Sequence, residues 1–485
     1  MSRIRILLCA LLACSALTFG TLGASQAQAS TGQKLYFEAP TDLLNPVTRP
    51  QALVQLQALG VRALRVELNW YSVAPDPNSA KAPSFDATNP GSYAWGQYDA
   101  LLAAAHQLGW SVLLTVTSPA PSWATSNHKA PYITRPDDLD FQQFMTAVAR
   151  HYGSEVSLYS IWNEPNEPPY LLPQFNANGT PASPRIYRGL FEAGYAGLSA
   201  GSKAAGLASP KVLMGETAPV GYDNPRREGA KGLLHPVAPL AFLRETLCLN
   251  AHYKRSGSCG LLPAYGYAHH AYSKAAGPNY RPPGADNVTI GVLSRLSHAL
   301  DLAARAHAIR GGMPIYLTEF GVESYPSKQN GVPPAQQAEY DAIAEHIAYS
   351  NPRVAAFSQY LLKDDPLGGP FSGSALGGYV GFQTGLEYVT GKPKPLYFGF
   401  PVPLTVTKRG HGFSLWGLVR PTTRSTKVTV LVKPKGARRY RTLKTVTTNG
   451  AGYWAFNSSA KGTSWRVRWI SPANVKYEGP PIRAY

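Results

Sequence analysis

Two apolar runs of the sequence end in a glutamate. Residues 158–165 read LYSIWNEP, and residues 314–321 read PIYLTEFG. Each run has the length and apolar content of a buried strand. Glu164 and Glu319 therefore lie at strand exits, not at a helix cap or on a free surface. The order of the predicted strands and helices around these two runs indicates the fold.

Outward from these runs, strand-like and helix-like segments alternate along residues 30–400. Eight such units predict a (β/α)8 TIM barrel. An open doubly wound sheet is the alternative, but no Gly-rich phosphate turn follows the first predicted strand. The predicted strands are 34–39, 63–70, 110–117, 158–162, 211–215, 264–272, 314–320 and 354–361. The predicted helices are 50–59, 93–108, 139–152, 184–205, 239–250, 288–310 and 334–350.

Charge separates a second domain from the first. The net charge is +18, yet residues 30–400 carry 28 bases and 27 acids, whereas residues 401–485 carry 16 bases and one acid, Glu478. This shift, together with a cluster of prolines, predicts a domain boundary near residue 400. Apolar and polar residues alternate with period two in 427–432 and 464–469. The alternation predicts a C-terminal antiparallel β-sandwich over residues 401–485.

The N-terminus is typical of a targeting segment. Arg3 and Arg5 flank the start of an apolar run over 4–22, and Ala-Gln-Ala at 27–29 matches a cleavage site. We expect a secretory signal peptide over residues 1–29 and a secreted, extracellular protein that associates with the cell wall. A membrane anchor and a lipoprotein signal at Cys14 are the alternatives. No later segment has 18 consecutive apolar residues, so we expect no membrane span in the mature chain.

Two cysteines remain after removal of the signal. Cys248 and Cys259 are close in sequence, and in an exported protein this favours a disulfide over two free thiols. The loop between them has about a dozen residues, for which the chain-entropy model gives on the order of 3 kcal/mol of stabilisation. Two cysteines without a nearby histidine pattern do not predict a zinc site.

Paired carboxylates suit the cleavage of a glycosidic bond. The strand ends of a barrel meet at one mouth, so Glu164 and Glu319 can face each other there. One carboxyl protonates the leaving oxygen, and the other attacks the sugar or activates water. Tyr272 is expected to donate a hydrogen bond to Glu319. This chemistry requires neither a metal nor an organic cofactor. The alternative is a pair of buried structural carboxylates.

Five strand ends resemble those of a known group. Residues 162–165 (WNEP) and 317–321 (LTEFG) resemble the catalytic strand ends of clan A glycoside hydrolases, most of all families 5 and 39, and the resemblance spans roughly residues 33–400. It implies Glu164 as acid/base and Glu319 as nucleophile. A lone Asn-Glu-Pro would be a weak signal, but five agreeing strand ends in the same order are a strong one.

The resemblance also implies four substrate-binding or supporting residues. Arg65 matches the arginine that supports the nucleophile, although it could only neutralise a barrel acid. Asn163 matches the asparagine that binds the sugar 2-hydroxyl. His270 and Tyr272 match the His-x-Tyr of strand six, and His269 is the alternative to His270 in register.

The sequence also departs from the pattern of the clan. Strand eight ends without the tryptophan on which the sugar of the −1 subsite packs in many members of the clan. Tyr360 or Gln359 is expected in its place. Trp70 and Trp123 could stack on sugar faces or pack at the barrel top. Glu38 and Glu216 also lie at strand ends, where they could bind hydroxyls or crowd the acid pair.

The function of the basic domain has two possible interpretations. The domain could adhere to an acidic polymer such as a cell-wall polysaccharide, or it could solubilise and pack against the barrel. Its tryptophans could stack on sugars or form its core. A nucleic acid partner is disfavoured for an exported chain. The tryptophans are Trp416, Trp454, Trp465 and Trp469.

These observations predict a secreted, monomeric, retaining O-glycosyl hydrolase. Its substrate would be an oligo- or polysaccharide with β-linkages, degraded by double displacement through Glu164 and Glu319. A carbohydrate-binding barrel without turnover, and a transglycosylase using the same carboxylates, are the alternatives.

Overall fold

Eight parallel strands close into a barrel in the computed structural model, which describes residues 32–366 and 381–485. The barrel closes because β1 pairs with β8, with Lys34 opposite Ala356. This closure confirms the TIM barrel and rules out the open sheet. The predicted signal peptide lies outside the described residues. The barrel strands are β1 Lys34–Glu38, β2 Ala63–Asn69, β3 Ser111–Thr117, β4 Leu158–Ile161, β5 Val212–Thr217, β6 Gly266–His270, β7 Ile315–Glu319 and β8 Val354–Tyr360.

Helices cover the outside of the barrel and connect its strands. Each of the seven predicted helices is present, but the helices at 239–246 and 293–305 end earlier than predicted, because Cys248 and His307 just after them adopt left-handed backbone angles with φ of 54°. The helices at 96–107 and 293–305 also begin later than predicted. The α-helices are α1 Pro40–Leu43, α2 Arg49–Ala58, α3 Trp70–Val73, α4 Gly96–Gln107, α5 Asp138–Tyr152, α6 Ser183–Ala204, α7 Pro239–Thr246, α8 Leu293–Arg305, α9 Pro334–Tyr349 and α10 Pro395–Gly399.

Helices α5 and α6 pack closely against each other on either side of β4 in the sequence, the strand after which Glu164 lies. Asp137 caps α5 by accepting hydrogen bonds from the backbone N–H groups of Leu139 and Asp140. On α6, a Cβ atom at Gly197 would lie 2.2 Å from the carbonyl oxygen of Gln142. A glycine at this position therefore lets the two helices approach at backbone distance.

The strand ends at the mouth have irregular backbones. The register between β5 and β6 shifts at Glu216, and the register between β6 and β7 shifts between His269 and His270. Trp162, Glu164 and Glu216 have positive φ angles of 65°, 37° and 50°. Bulges of this kind turn side chains away from the regular alternation of a strand. The fifth strand was predicted to end at residue 215, and its extension through Thr217 includes Glu216 in the strand.

The C-terminal residues form the predicted antiparallel β-sandwich. One sheet has the order β13-β10-β9, and the other has the order β12-β11-β14-β15. All four of its tryptophans are buried, so packing accounts for them and sugar stacking does not. The strands are β9 Leu404–Arg409, β10 Gly412–Leu418, β11 Lys427–Lys433, β12 Arg441–Thr447, β13 Tyr453–Ser458, β14 Ser464–Ile470 and β15 Lys476–Glu478.

The sandwich is fixed to the barrel at the end where the strands begin. Arg420 forms a buried ion pair of 2.9 Å with Glu345, near the C-terminus of α9. Trp416 stacks on His346 with a ring separation of 4.6 Å. The hydroxyl of Tyr477 donates to the backbone oxygen at the end of α2. The mouth, which lies at the opposite ends of the strands, therefore faces away from the sandwich.

A disulfide closes a loop on the outside of the barrel. Cys248 and Cys259 form it as predicted, with 6.0 Å between their Cα atoms. Nη1 of Arg185 lies 2.9 Å from the sulfur of Cys248. Among the helices in the described ranges, none has both the length and the apolar character needed to cross a bilayer.

Candidate active site

Glu164 and Glu319 meet at the mouth of the barrel. A carboxylate oxygen of Glu164 and one of Glu319 lie within 4.8 Å of each other. The strand order explains this proximity, because β4 and β7 are parallel and their C-terminal ends lie at the same end of the barrel. Glu164 and Glu319 are 8% and 7% exposed, so each is buried but still reachable from the mouth.

Glu319 is oriented by donors on both of its oxygens. Nη1 of Arg65 donates to Oε1 over 2.7 Å, and the hydroxyl of Tyr272 donates to Oε2 over 2.9 Å. Nδ1 of His270 lies 3.6 Å from the same Oε2. The geometry expected from the sequence for Arg65 and Tyr272 is therefore present, and the carboxylate is fixed in one orientation.

Glu164 has a different environment. Burial raises the pKa of Glu164 above its usual range, and the hydrogen bond and the charge of His270 oppose this rise. Nδ1 of His270 lies 2.8 Å from Oε1 of Glu164. A raised pKa suits a carboxyl group that donates a proton near neutral pH.

Arg65 is the centre of a larger acidic cluster than the sequence predicted. Its side chain is fully buried on β2, and Nη2 lies 3.2 Å from both Glu67 and Glu216. Nη1 contacts Glu38 as well as Glu319. One guanidinium thus bridges four carboxylates, which goes beyond neutralising a single acid.

Glu67 was not identified from the sequence. Burial raises the pKa of Glu67 to about 7, with Glu319 and Glu216 adding to the effect and Arg65 opposing it. Burial likewise raises the pKa of Glu38 well above its usual range. The signal for Glu67 was available, because it follows Arg65 by two positions on a strand and so points to the same side.

The two neighbouring histidines differ in role. His270 points into the mouth, as the resemblance implies. His269 packs in the wall, where its ring nitrogens contact the Thr217 hydroxyl at 2.9 Å and the Val288 carbonyl at 2.8 Å. Burial lowers the pKa of His269 to about 4, so this residue is a neutral part of the core.

Asn163 and Tyr360 both lie at the mouth. Oδ1 of Asn163 accepts a hydrogen bond of 2.8 Å from Arg65, so its amide nitrogen is the end that can donate to a sugar hydroxyl. Tyr360 contacts Phe382 edge-on at 5.4 Å, and Tyr272 stacks on the same ring at 6.1 Å. Together these three aromatic rings line one side of the mouth.

Three other expected subsite residues are held by packing or by backbone hydrogen bonds. Trp70 is 0% exposed and stacks on Phe144 of α5, so it cannot contact a sugar. Trp123 packs edge-on against Trp70 at 5.8 Å and donates its indole N–H to a backbone oxygen. The amide of Gln359 donates to two backbone carbonyls, at 3.0 and 3.1 Å. Packing therefore accounts for all three residues.

Glu167 is a further acidic residue that sequence reasoning missed. It follows Glu164 by three positions, and its backbone N–H donates to the Glu164 carbonyl over 2.8 Å. Burial, followed by the charge of Glu164, raises the pKa of Glu167 well above its usual range. No spacing rule marks this residue, because it lies in the irregular loop after β4.

Two groups of side chains in the described residues have ligand atoms close enough for one metal ion. The first comprises Glu164, His270 and Glu319, and the second comprises Glu38, Glu67 and Glu319. In both groups, Arg65 or His270 already pairs with the carboxylates. The arrangement as it stands is suited to proton transfer and nucleophilic attack by carboxylates.

Comparison with known proteins gives structural neighbours only. No protein-family model matches the chain, and no curated protein sequence matches it. The chain is similar to a glucosidase from Croceicoccus marinus, with 14% identity, coverage of 94% of this chain and 82% of that chain, and a TM-score of 0.49. It is similar to a family 39 glycoside hydrolase from Bacteroides cellulosilyticus WH2, with 14% identity, coverage of 90% and 80%, and a TM-score of 0.48. It is also similar to a hyperthermophilic beta-glucosidase from Pyrococcus furiosus, with 14% identity, coverage of 77% of this chain and 95% of that chain, and a TM-score of 0.46.

Proposed function

We propose that this chain is a secreted, monomeric, retaining glycoside hydrolase that cleaves the O-glycosidic bonds of a β-linked oligo- or polysaccharide. The observation that carries the proposal is the approach of Glu164 and Glu319 to within 4.8 Å. Carboxyl groups about 5–5.5 Å apart characterise retaining enzymes, whereas inverting enzymes need about 6.5–9.5 Å to admit a water molecule. The short separation supports double displacement.

In the first step, an oxygen of Glu319 attacks the anomeric carbon while Glu164 gives its proton to the leaving oxygen. The bond between carbon and leaving oxygen breaks, and a glycosyl ester on Glu319 forms. In the second step, Glu164 takes a proton from water, and the hydroxide oxygen displaces Glu319 from the carbon. Arg65 and Tyr272 fix the nucleophile for both steps, and the amide of Asn163 is placed to donate to a sugar hydroxyl.

Kinetics of two variants on aryl β-glycosides test this proposal. We expect Glu319→Gln to abolish turnover. Glu164→Ala should be slow on substrates with poor leaving groups and should be rescued by azide, which enters the space of the missing carboxyl and attacks the ester. Asp341→Asn is the matched control, because Asp341 is a buried carboxyl on α9 whose charged neighbours, Glu345 and Arg420, lie where the sandwich joins the barrel.

The results separate this function from its alternatives. Full activity of Glu319→Gln would contradict the proposal. A wild type that binds oligosaccharides without cleaving any aryl glycoside or polysaccharide would indicate a binding barrel. A product mixture dominated by transfer to an added acceptor sugar would indicate a transglycosylase.

We further propose that the sandwich adheres to an acidic polymer of the cell wall. On β14, Arg466 and Arg468 alternate with buried residues and so point outward, and both pair with Glu478, the one acid of the domain. Six of the exposed or half-exposed bases of β11, β12 and the turn between them add to this surface. We call these bases the basic face: Lys427, Lys433, Lys435, Arg438, Arg439 and Arg441.

Charge neutralisation is a sharper test of adhesion than deletion of the domain, because deletion would unpair buried Glu345. Replacing all bases of the basic face by Gln should weaken pelleting with an acidic polysaccharide, most strongly at low salt. Activity on a small aryl glycoside should be unchanged. The control replaces six exposed bases of the barrel by Gln, so that both variants lose the same charge. These are Lys203, Arg226, Arg227, Lys231, Arg305 and Lys328. Equal pelleting of the two variants would contradict adhesion through this face.

A further inference from the structure

His270 lies between two glutamates and contacts one with each ring nitrogen. Nδ1 is 2.8 Å from Oε1 of Glu164, and Nε2 is 2.6 Å from Oε2 of Glu216. A neutral imidazole has only one N–H. Two carboxylates on its two nitrogens therefore require a doubly protonated ring, unless one of the carboxyls carries the proton. The protonation states of the three groups depend on one another.

Glu216 is the member of this set that stays ionised. Oε1 accepts a hydrogen bond from Thr115 over 3.2 Å, and Oε2 accepts from Thr318 over 2.8 Å and from Arg65 over 3.2 Å. Burial would raise the pKa of Glu216, but Arg65 and His270 lower it to about 2. Since a carboxylate faces Nε2 of His270, that nitrogen carries a hydrogen.

We propose that Glu216 is a positioning residue that keeps both ring nitrogens of His270 protonated and directs the Nδ1–H group at Glu164. This inference rests on the function proposed above, in which Glu164 exchanges a proton with the glycosidic oxygen. Glu216 itself cannot touch a substrate, because it is fully buried and protein donors engage both of its oxygens. It acts through the imidazole.

The arrangement matters once Glu164 has given up its proton. The carboxylate that remains is buried, and burial disfavours its charge. The Nδ1–H group of His270 stabilises this carboxylate until it takes a proton from water, and His270 keeps both of its own protons throughout. The charged or titratable groups around His270 are Arg65 and Glu67 of β2, Glu164 after β4, Glu216 of β5, Glu319 of β7, and His269 and Tyr272 of its own segment.

Nitrogen NMR of histidine-labelled protein tests the first part of the proposal without any turnover. Burial disfavours the imidazolium, but Glu319, Glu164 and Glu216 together raise the pKa of His270 to about 10. In the wild type, both ring nitrogens should therefore be protonated at pH 7.5. In Glu216→Gln, which keeps the shape and removes the charge, the pKa of His270 should fall so far that one ring nitrogen loses its proton at pH 7.5. Asp341→Asn, which neutralises a remote buried carboxyl, should leave it unchanged, and His270→Gln assigns the signal.

Kinetics test the second part. Without the imidazolium, the pKa of Glu164 rises, so the alkaline limb of kcat/KM in Glu216→Gln should move to higher pH. General acid–base catalysis contributes about 10²–10⁴-fold, and loss of a partner that only tunes the acid should lower kcat less, by on the order of tenfold. KM should stay within about twofold, because Glu216 makes no substrate contact.

Two results would overturn this role. One is a wild-type His270 with an unprotonated ring nitrogen at pH 7.5, a measurement that decides the matter even if Glu216→Gln does not fold. The other is a folded Glu216→Gln variant whose His270 pKa and alkaline limb match those of the wild type. A wild type that cleaves no glycoside, with His270 doubly protonated, would instead refute the proposed function alone.

Discussion

Replacing Tyr272 by phenylalanine removes one hydroxyl from the mouth and leaves the ring in place. The ring of Tyr272 stacks on Phe320 at 6.2 Å and on Phe382 at 6.1 Å, and phenylalanine keeps both contacts. What is lost is the hydrogen bond of 2.9 Å to Oε2 of Glu319. A hydrogen bond to a charged group is worth about 1.5–3 kcal/mol. Since about 1.4 kcal/mol corresponds to a factor of ten in rate, kcat/KM should fall about 10-fold to 150-fold.

Steady-state kinetics on an aryl β-glycoside measure this loss. Tyr316→Phe is the matched control, because Tyr316 lies three residues before Glu319 on the same strand but in the lower layer of the barrel interior. Its kcat/KM should stay within about twofold of the wild type. A Tyr272→Phe variant as active as the Tyr316→Phe control would refute the assignment of Glu319 as the oriented nucleophile.

Three further predictions concern stability. Arg420→Met leaves Glu345 buried without its partner, which should cost about 3–5 kcal/mol of unfolding free energy in chemical denaturation; an unchanged midpoint would contradict the importance of this ion pair. Because the pKa of Glu67 rises on folding to about 7, its contribution to stability is present below its unfolded value and is lost as pH rises through about 7. The free energy of unfolding, measured by chemical denaturation, should therefore decline less between pH 4.5 and pH 7.5 in Glu67→Gln than in the wild type. Equal declines would contradict this prediction. Trp70→Ala should lose about 3–5 kcal/mol with little change in KM, whereas a selective rise in KM would restore its sugar-binding role.

The positions of Glu164 and Glu319 could be predicted because the topology of the barrel determines where strand ends lie. In a barrel of parallel strands, the C-terminal ends of all strands lie at the same end of the barrel. A glutamate directly after an apolar run must then lie at the mouth. The positions of Glu164 and Glu319 needed no further information, and Tyr272 followed from its place after β6, the strand next to β7. The role of Arg65, which lies inside β2, came from the resemblance to the clan.

The sequence could not show which way side chains turn where a strand loses its regular geometry. Glu216 was expected at a strand end, but its left-handed backbone in the bulge of β5 turns its carboxylate toward Arg65 and His270, and no spacing rule predicts that turn. Trp70 is the first residue of α3, and the helical turn directs its ring at Phe144 instead of the mouth. Glu67 differs from these two residues, because its place two positions after Arg65 on β2 already indicates that both side chains point to the same side of the strand.

The attachment of the sandwich to the lower end of the barrel has a consequence for an enzyme working at a solid surface. A molecule moored by its C-terminal domain would turn its cleft toward the surrounding liquid. It would then bind polysaccharide chains that diffuse in or are only partly attached, and would not cleave the polymer to which it adheres. Such an enzyme could remain in one place through many catalytic cycles.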